Sequence, residues 1–228
     1  MPIQLLPPRV SRSIRLFLLP CVAVLCMVGC SSSSPGNPKV PAGAASSGGM
    51  HGVIDTEKGA IEMEVDSVHA PATAANFLKY VDAGFFDGGS VNRAVRPDNT
   101  VRHDVEIQVI QLQIDSAPRR EQFPPIPLER TNVTGLKHVD GAMSMARNGP
   151  DTATASFSIV IGDQPEMNFG GRRNPDGQGF AAFGRVVRGM DVVRAIQASP
   201  TGRGGPYGTE SLAPPIRILK AYRRKEGA

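Results

Sequence analysis

The segment that most constrains this chain is Gly141-Ala-Met-Ser-Met-Ala-Arg-Asn-Gly-Pro-Asp-Thr-Ala-Thr-Ala-Ser-Phe-Ser-Ile-Val-Ile. Its ends, 142–146 and 156–161, read as short strands, and a loop of small residues joins them. Strand patterns of the same length recur on both sides. In 60–66, Ile61, Met63 and Val65 alternate with Glu62, Glu64 and Asp66, the two-residue period of a half-buried strand. Lys58-Gly59 supplies a turn back to a partner strand at 51–57. Further strands are expected at 105–112, 180–187 and, after Pro214-Pro215, at 216–222. Two helices interrupt them. Pro71 opens one, with Ala74, Ala75, Phe77, Leu78 and Val81 at helical spacing and Gly84 at its end. A shorter one follows Gly189, with Val192, Val193 and Ile196 on one face. Many short strands, few helices, 25 Gly and 20 Pro predict a mostly β domain, a closed barrel or a sandwich.

The first fifty residues have another character. Arg9, Arg12 and Arg15 precede an apolar run at 16–29, interrupted by Pro20. Spanning a bilayer takes about 20 apolar residues, so this run fits a secretory leader better than an anchor. It ends Met27-Val28-Gly29-Cys30-Ser31, which resembles a bacterial lipobox. That resemblance implies cleavage after residue 29 and lipidation of Cys30; an ordinary secretory peptide is the alternative. Serine after the cysteine is similar to the outer-membrane sorting rule. The expected location is the bacterial cell envelope, lipid-anchored and facing the periplasm, at the outer rather than the inner membrane. Residues 30–50 read as a Ser/Gly/Pro linker, leaving 51–228 as the domain.

Cys21, Cys26 and Cys30 are the chain's three cysteines, so the domain has no internal disulfide and is held by its core. The charge points away from nucleic acid. There are 25 Lys and Arg against 21 Asp and Glu. Removing the three leader arginines leaves 22 against 21, about +1. The basic cluster Lys220, Arg223, Arg224 and Lys225 reads as a solvated terminus.

The 141–161 segment resembles the central signature of the cyclophilins, the peptidyl-prolyl cis-trans isomerases. So do Ala70-Pro-Ala-Thr-Ala-Ala-Asn-Phe-Leu-Lys-Tyr-Val-Asp-Ala-Gly-Phe-Phe-Asp-Gly-Gly and Phe183-Gly-Arg-Val-Val-Arg-Gly-Met-Asp-Val-Val. The matches run from about Val53 to the C-terminus. The resemblance implies a closed eight-stranded antiparallel barrel capped by two helices. It also implies an enzyme that acts on Xaa-Pro bonds of other polypeptides, as a monomer, without cofactor or metal. His51, His69, His103 and His138 show no metal-ligand spacing. Gly170-Gly-Arg-Arg-Asn-Pro-Asp-Gly-Gln-Gly lacks the Gly-Lys-Ser/Thr ending of a phosphate loop and reads as a surface loop near the site.

Rotation about a peptide bond faces a barrier of ~18–20 kcal/mol, set by amide resonance. A fixed guanidinium can stabilise the twisted amide through preorganised hydrogen bonds, with no proton transfer. By resemblance, Arg93 in Gly89-Ser-Val-Asn-Arg-Ala-Val is the catalytic arginine, the alternative being a surface strand arginine in a salt bridge. Gln111, in Val109-Ile-Gln-Leu-Gln-Ile-Asp, matches the family glutamine that holds the substrate backbone. Val109, two residues away, shares its face. The resemblance adds Ala146, Arg147, Phe157, Ser158, Met167 and Phe180 as substrate-binding residues. Three departures from the family pattern predict weaker isomerisation, or a module that binds proline segments without turning them over. Ser158 stands where the family has a phenylalanine floor. Leu112 and Gln113 replace two glycines, and 96–106 replaces a tighter turn.

Overall fold

A computed structural model describes residues 50–114 and 122–224. The chain divides into two units, Met1–Ala45 and Ser46–Ala228, and every described residue belongs to the second. The leader, Cys30 and the linker up to residue 49 lie outside the described residues.

The expected hairpin is β1 (Met50–Thr56) and β2 (Gly59–Val65), antiparallel with Ile54 opposite Ile61. Ile61, Met63 and Val65 all face the core, as their alternation predicts. Helix α1 (Pro71–Asp82) follows, with proline in its first turn. Phe77, Leu78 and Val81 are buried beneath it. Its free N-terminal amides are met from far along the chain. The Glu129 carboxylate accepts from the backbone N–H of Ala72 at 3.0 Å and of Thr73 at 2.8 Å. A negative charge there also suits the helix dipole.

The remaining strands are β3 (Ser90–Val95), β4 (Val109–Gln113), β5 (Ala142–Met145), β6 (Phe157–Val160), β7 (Ala181–Arg188) and β8 (Ser211–Arg224). A short helix α2 (Thr131–Thr134) and helix α3 (Met190–Gln197) complete the regular elements. The strands close into a barrel in the order β1-β2-β7-β5-β6-β4-β3-β8, antiparallel at every pairing. Helix α1 packs on β7 and β8, and α3 on β2, β3 and β4. Phe77, Phe157 and Phe183 meet inside, with ring centroids 5.2 to 6.1 Å apart.

Three elements differ from expectation. The strand read at 105–112 is confined to Val109–Gln113. Residues 105–108 instead carry Ile107 into a small apolar cluster beside the barrel, with Val95, Val109, Ala142, Val160 and Met167. β3 has no clean alternation, because a register shift between Val91 and Arg93 breaks it. The last strand starts at Ser211 and runs through Pro214-Pro215 rather than after them. Opposite β3 its pairing jumps from Ile216 to Ser211, so both prolines lie in the unpaired stretch, where no ladder N–H is needed.

Candidate active site

The strands that close one side of the barrel alternate between inside and outside. On β4, Ile110 and Leu112 enter the core, while Val109, Gln111 and Gln113 line an outer groove of about 420 Å³. Ser144 of β5 and Ser158 of β6, paired in register, lie beside them. The same parity corrects one expectation. Phe157 is fully buried among Phe77, Phe86 and Phe183, on the barrel side of β6, and does not line the groove. Its neighbours Ser156 and Ser158 take the groove side.

Arg93 reaches the groove from β3 and is held on three sides. Its Nη1 donates to Gln111 Oε1 at 3.0 Å, from the residue opposite it on β4. Its Nε and Nη2 both donate to Glu210 Oε2, at 2.8 and 2.6 Å. The Tyr207 ring lies under the guanidinium, 4.9 Å from centroid to Cζ. The Arg93 side chain is 19% exposed, against 1% for Glu210, so the carboxylate is the buried anchor and the guanidinium the accessible end.

Glu210 closes the 3₁₀ turn Gly208–Glu210, just before β8. Its other oxygen accepts from Thr100 Oγ1 and the Val101 N–H, both at 3.1 Å. Burial pushes this carboxyl up. The Arg93 charge and the hydrogen bonds from Arg93, Val101 and Thr100 outweigh burial and hold it below its usual value. The long 96–106 segment therefore has a structural task, since it carries two of the four donors that fix Glu210. Sequence reasoning missed Glu210 and Tyr207. They sit more than a hundred residues from Arg93, in a Gly-rich turn with no periodic pattern, and no local motif marks them.

The other expected residues assemble around this centre. Val109, Ala146, Ser158, Met167 and Phe180 all line the groove. Met167 is buried in the apolar cluster with Val109, and Phe180 packs against that cluster. Arg147 lines the groove too, but its guanidinium is engaged. It grips Asp176 at 2.7 and 2.9 Å and donates from Nε to the Gly179 carbonyl oxygen at 2.9 Å. The Arg147 hydrogen bonds bring the Asp176 carboxyl down to about 2. Arg147 thus pins the 170–179 loop beside the groove. Gly179 makes that loop possible: its φ is +64°, and an added Cβ would lie 2.5 Å from the Asn168 carbonyl.

Beneath Ser144 lies His138. Its Nε2 is 2.9 Å from Ser144 Oγ and its Nδ1 2.9 Å from Asn168 Oδ1. The amide oxygen can only accept, so Nδ1 carries the proton and Nε2 accepts from the Ser144 hydroxyl. Burial brings the imidazole down from 6.5 to about 4. His138 is therefore a neutral, satisfied core histidine.

These features define a barrel with an outer-face peptide groove built around a fixed guanidinium. The family model for cyclophilin type peptidyl-prolyl cis-trans isomerases matches residues 52–223. Peptidyl-prolyl cis-trans isomerase cyp18 of Streptomyces antibioticus is 36% identical over 150 residues, covering 65% of this chain and 84% of that protein. Peptidyl-prolyl cis-trans isomerase A of Dickeya dadantii is 33% identical over 168 residues, covering 73% and 80%. A crystal structure of a Cryptosporidium parvum cyclophilin, determined in the presence of the dipeptide Ala-Pro, superposes with a TM-score of 0.60 at 16% identity. It covers 77% of this chain and 99% of that one, a likeness of fold. The chain belongs to the cyclophilin-type peptidyl-prolyl cis-trans isomerase family. Its activity is cis–trans isomerisation of Xaa-Pro peptide bonds, and its substrates are proline-containing polypeptides.

Proposed function

We propose that Arg93 is the catalytic group of this isomerase and that Gln111 and the groove walls hold its substrate. The observation that carries the reading is the Arg93 fork: a guanidinium fixed on three sides yet open to the groove. Arginine has five N–H donors, and three are used within the protein. The other two remain for a prolyl amide. As the amide twists, its nitrogen lone pair leaves conjugation and becomes an acceptor. A donor already in place stabilises that state without reorganising, which is the origin of the rate gain. Gln111 supports the reading, because its amide oxygen is held by Arg93 and its amide N–H groups are left for a substrate carbonyl. Val109, Met167 and Phe180 supply apolar wall for the proline ring.

The test is turnover of an Ala-Pro peptide in a protease-coupled assay. Arg93→Ala is expected to lower kcat/KM by about 10²–10³-fold, the scale of one lost transition-state donor. An unchanged rate in a folded variant would remove Arg93 from the mechanism. Ser144 and Ser158 favour a second reading, in which proline segments bind but exchange slowly over a polar floor. Titrating the same peptide separates the two, since binding without exchange belongs to the second alone.

The clients in this proposal are exported proteins, and the enzyme is a monomer held at the periplasmic face of the cell envelope by lipid on Cys30. Support comes from the basic leader, the apolar run at 16–29 and the Gly29-Cys30-Ser31 junction. Labelling cells with a fatty-acid analogue is expected to mark the full chain and not the Cys30→Ala variant.

A further inference from the structure

Among the described residues eighteen line the groove, and none of these is a carboxylate. Four are arginines: Arg93, Arg102, Arg147 and Arg173. Three have an acidic partner that stands outside the groove. Glu210 holds Arg93, Asp104 holds Arg102 at 2.8 Å, and Asp176 holds Arg147 at 2.7 Å. Arg173 has no ion-pair partner among the described residues. Its Nη1 donates to the Val105 carbonyl oxygen at 3.1 Å, a single neutral acceptor for a group with five donors.

Arg173 is also fixed in place. Its backbone N–H donates to the Glu166 carbonyl oxygen at 3.0 Å, and its own carbonyl accepts from Arg102 Nη1 at 2.8 Å. Burial, and then the charge of Arg93, bring the Arg173 guanidinium below its usual value, with Glu210 partly opposing them. A half-buried cation with one neutral acceptor gains from any anion that comes to it. The excess positive charge is local, because residues 51–228 as a whole balance, with 21 Lys and Arg (25 less Arg9, Arg12, Arg15 and Lys39) against 21 Asp and Glu.

We propose that Arg173 makes this isomerase selective for polypeptide segments with a carboxylate side chain beside the proline. The proposal rests on the isomerase reading of the groove. Its reach is short: exposed charges are screened over about 10 Å at 0.1 M salt, so only residues next to the bound proline feel it.

Two peptide pairs test it, one with Glu or Gln before the proline and one with Glu or Gln after it. For at least one pair, kcat/KM at low salt is expected to favour Glu by about three- to tenfold, the scale of one charge-assisted hydrogen bond. The preference is expected to shrink in high salt, to vanish in Arg173→Gln and to persist in Arg173→Lys. A Glu-to-Gln ratio near one for both pairs overturns the proposal, as does a preference that survives in Arg173→Gln. Fluorescence titration of the same peptides keeps the two readings apart. Should no peptide be isomerised, the ratio of dissociation constants still decides the role of Arg173.

Discussion

Replacing Glu210 by glutamine tests the central geometry most directly, because the change is nearly isosteric and falls on a residue that need not touch substrate. Glu210 accepts four hydrogen bonds, two from Arg93 and one each from Thr100 and Val101. A glutamine presents one oxygen and one NH₂ group. If the NH₂ faces Arg93, two donors meet a donor. If it faces the other way, the Thr100 hydroxyl can reverse, but the Val101 N–H cannot. At least one buried donor is left unmatched in either orientation, and Arg93 loses its counter-charge. Unmatched buried groups cost ~1–3 kcal/mol, and breaking a fully buried ion pair ~3–5 kcal/mol. With Arg93 partly exposed, a loss of about 2–3 kcal/mol in unfolding free energy is expected. The catalytic effect is of similar size in free energy, about 2.7 kcal/mol for a hundredfold change in rate. A shift of about 1 Å in a positioned group costs ~10²-fold in rate, so kcat/KM is expected to fall by that order. Urea unfolding gives the first quantity and the protease-coupled Ala-Pro assay the second. A Glu210→Gln protein that folds and keeps kcat/KM within about twofold of wild type would refute Glu210 as the residue that positions Arg93.

Two further outcomes follow from the same geometry. Ser158→Phe puts a ring on the groove floor beside Ser144, and is expected to tighten proline-peptide binding by about tenfold through ~1–2 kcal/mol of added apolar contact. Unchanged or weaker binding in a folded variant would show that the serine floor does not limit the grip on proline. His138 gives stability a pH dependence of known sign: its folded value is depressed, so below 6.5 the unfolded chain takes up a proton that the folded protein refuses. Unfolding free energy is therefore expected to fall by about 3 kcal/mol between pH 7 and pH 4, with a smaller drop in His138→Gln.

How much of this was legible beforehand depended on the range of the signal. The β1–β2 hairpin and α1 were readable because their information lies within a few residues: alternation at Ile61, Met63 and Val65, and helical spacing at Phe77, Leu78 and Val81. β3 was not, because its register shift at Asn92 erases alternation over so short a strand. The position of Arg93 and Gln111 in one groove followed from family likeness, and the structure places them 3.0 Å apart. Phe157 was misplaced although the signal was present. Strand parity puts it opposite Ser158, so both cannot face the groove. Glu210 and Arg173 were beyond local reading, since each matters through partners at distant positions that only the closed fold brings near.

The barrel's closure has a consequence for a protein that handles unfolded chains. An open sheet ends in strands with unpaired N–H and C=O groups, which an extended client could extend into a shared aggregate. Here β1 zips onto β8, and the ladder has no terminal strand to offer. A lapse in it, the stretch between Ser211 and Ile216, is sealed by Pro200, whose carbonyl takes the Ala213 N–H at 3.0 Å, and by two prolines with no N–H to give. Clients can lie across this molecule without being knitted into it.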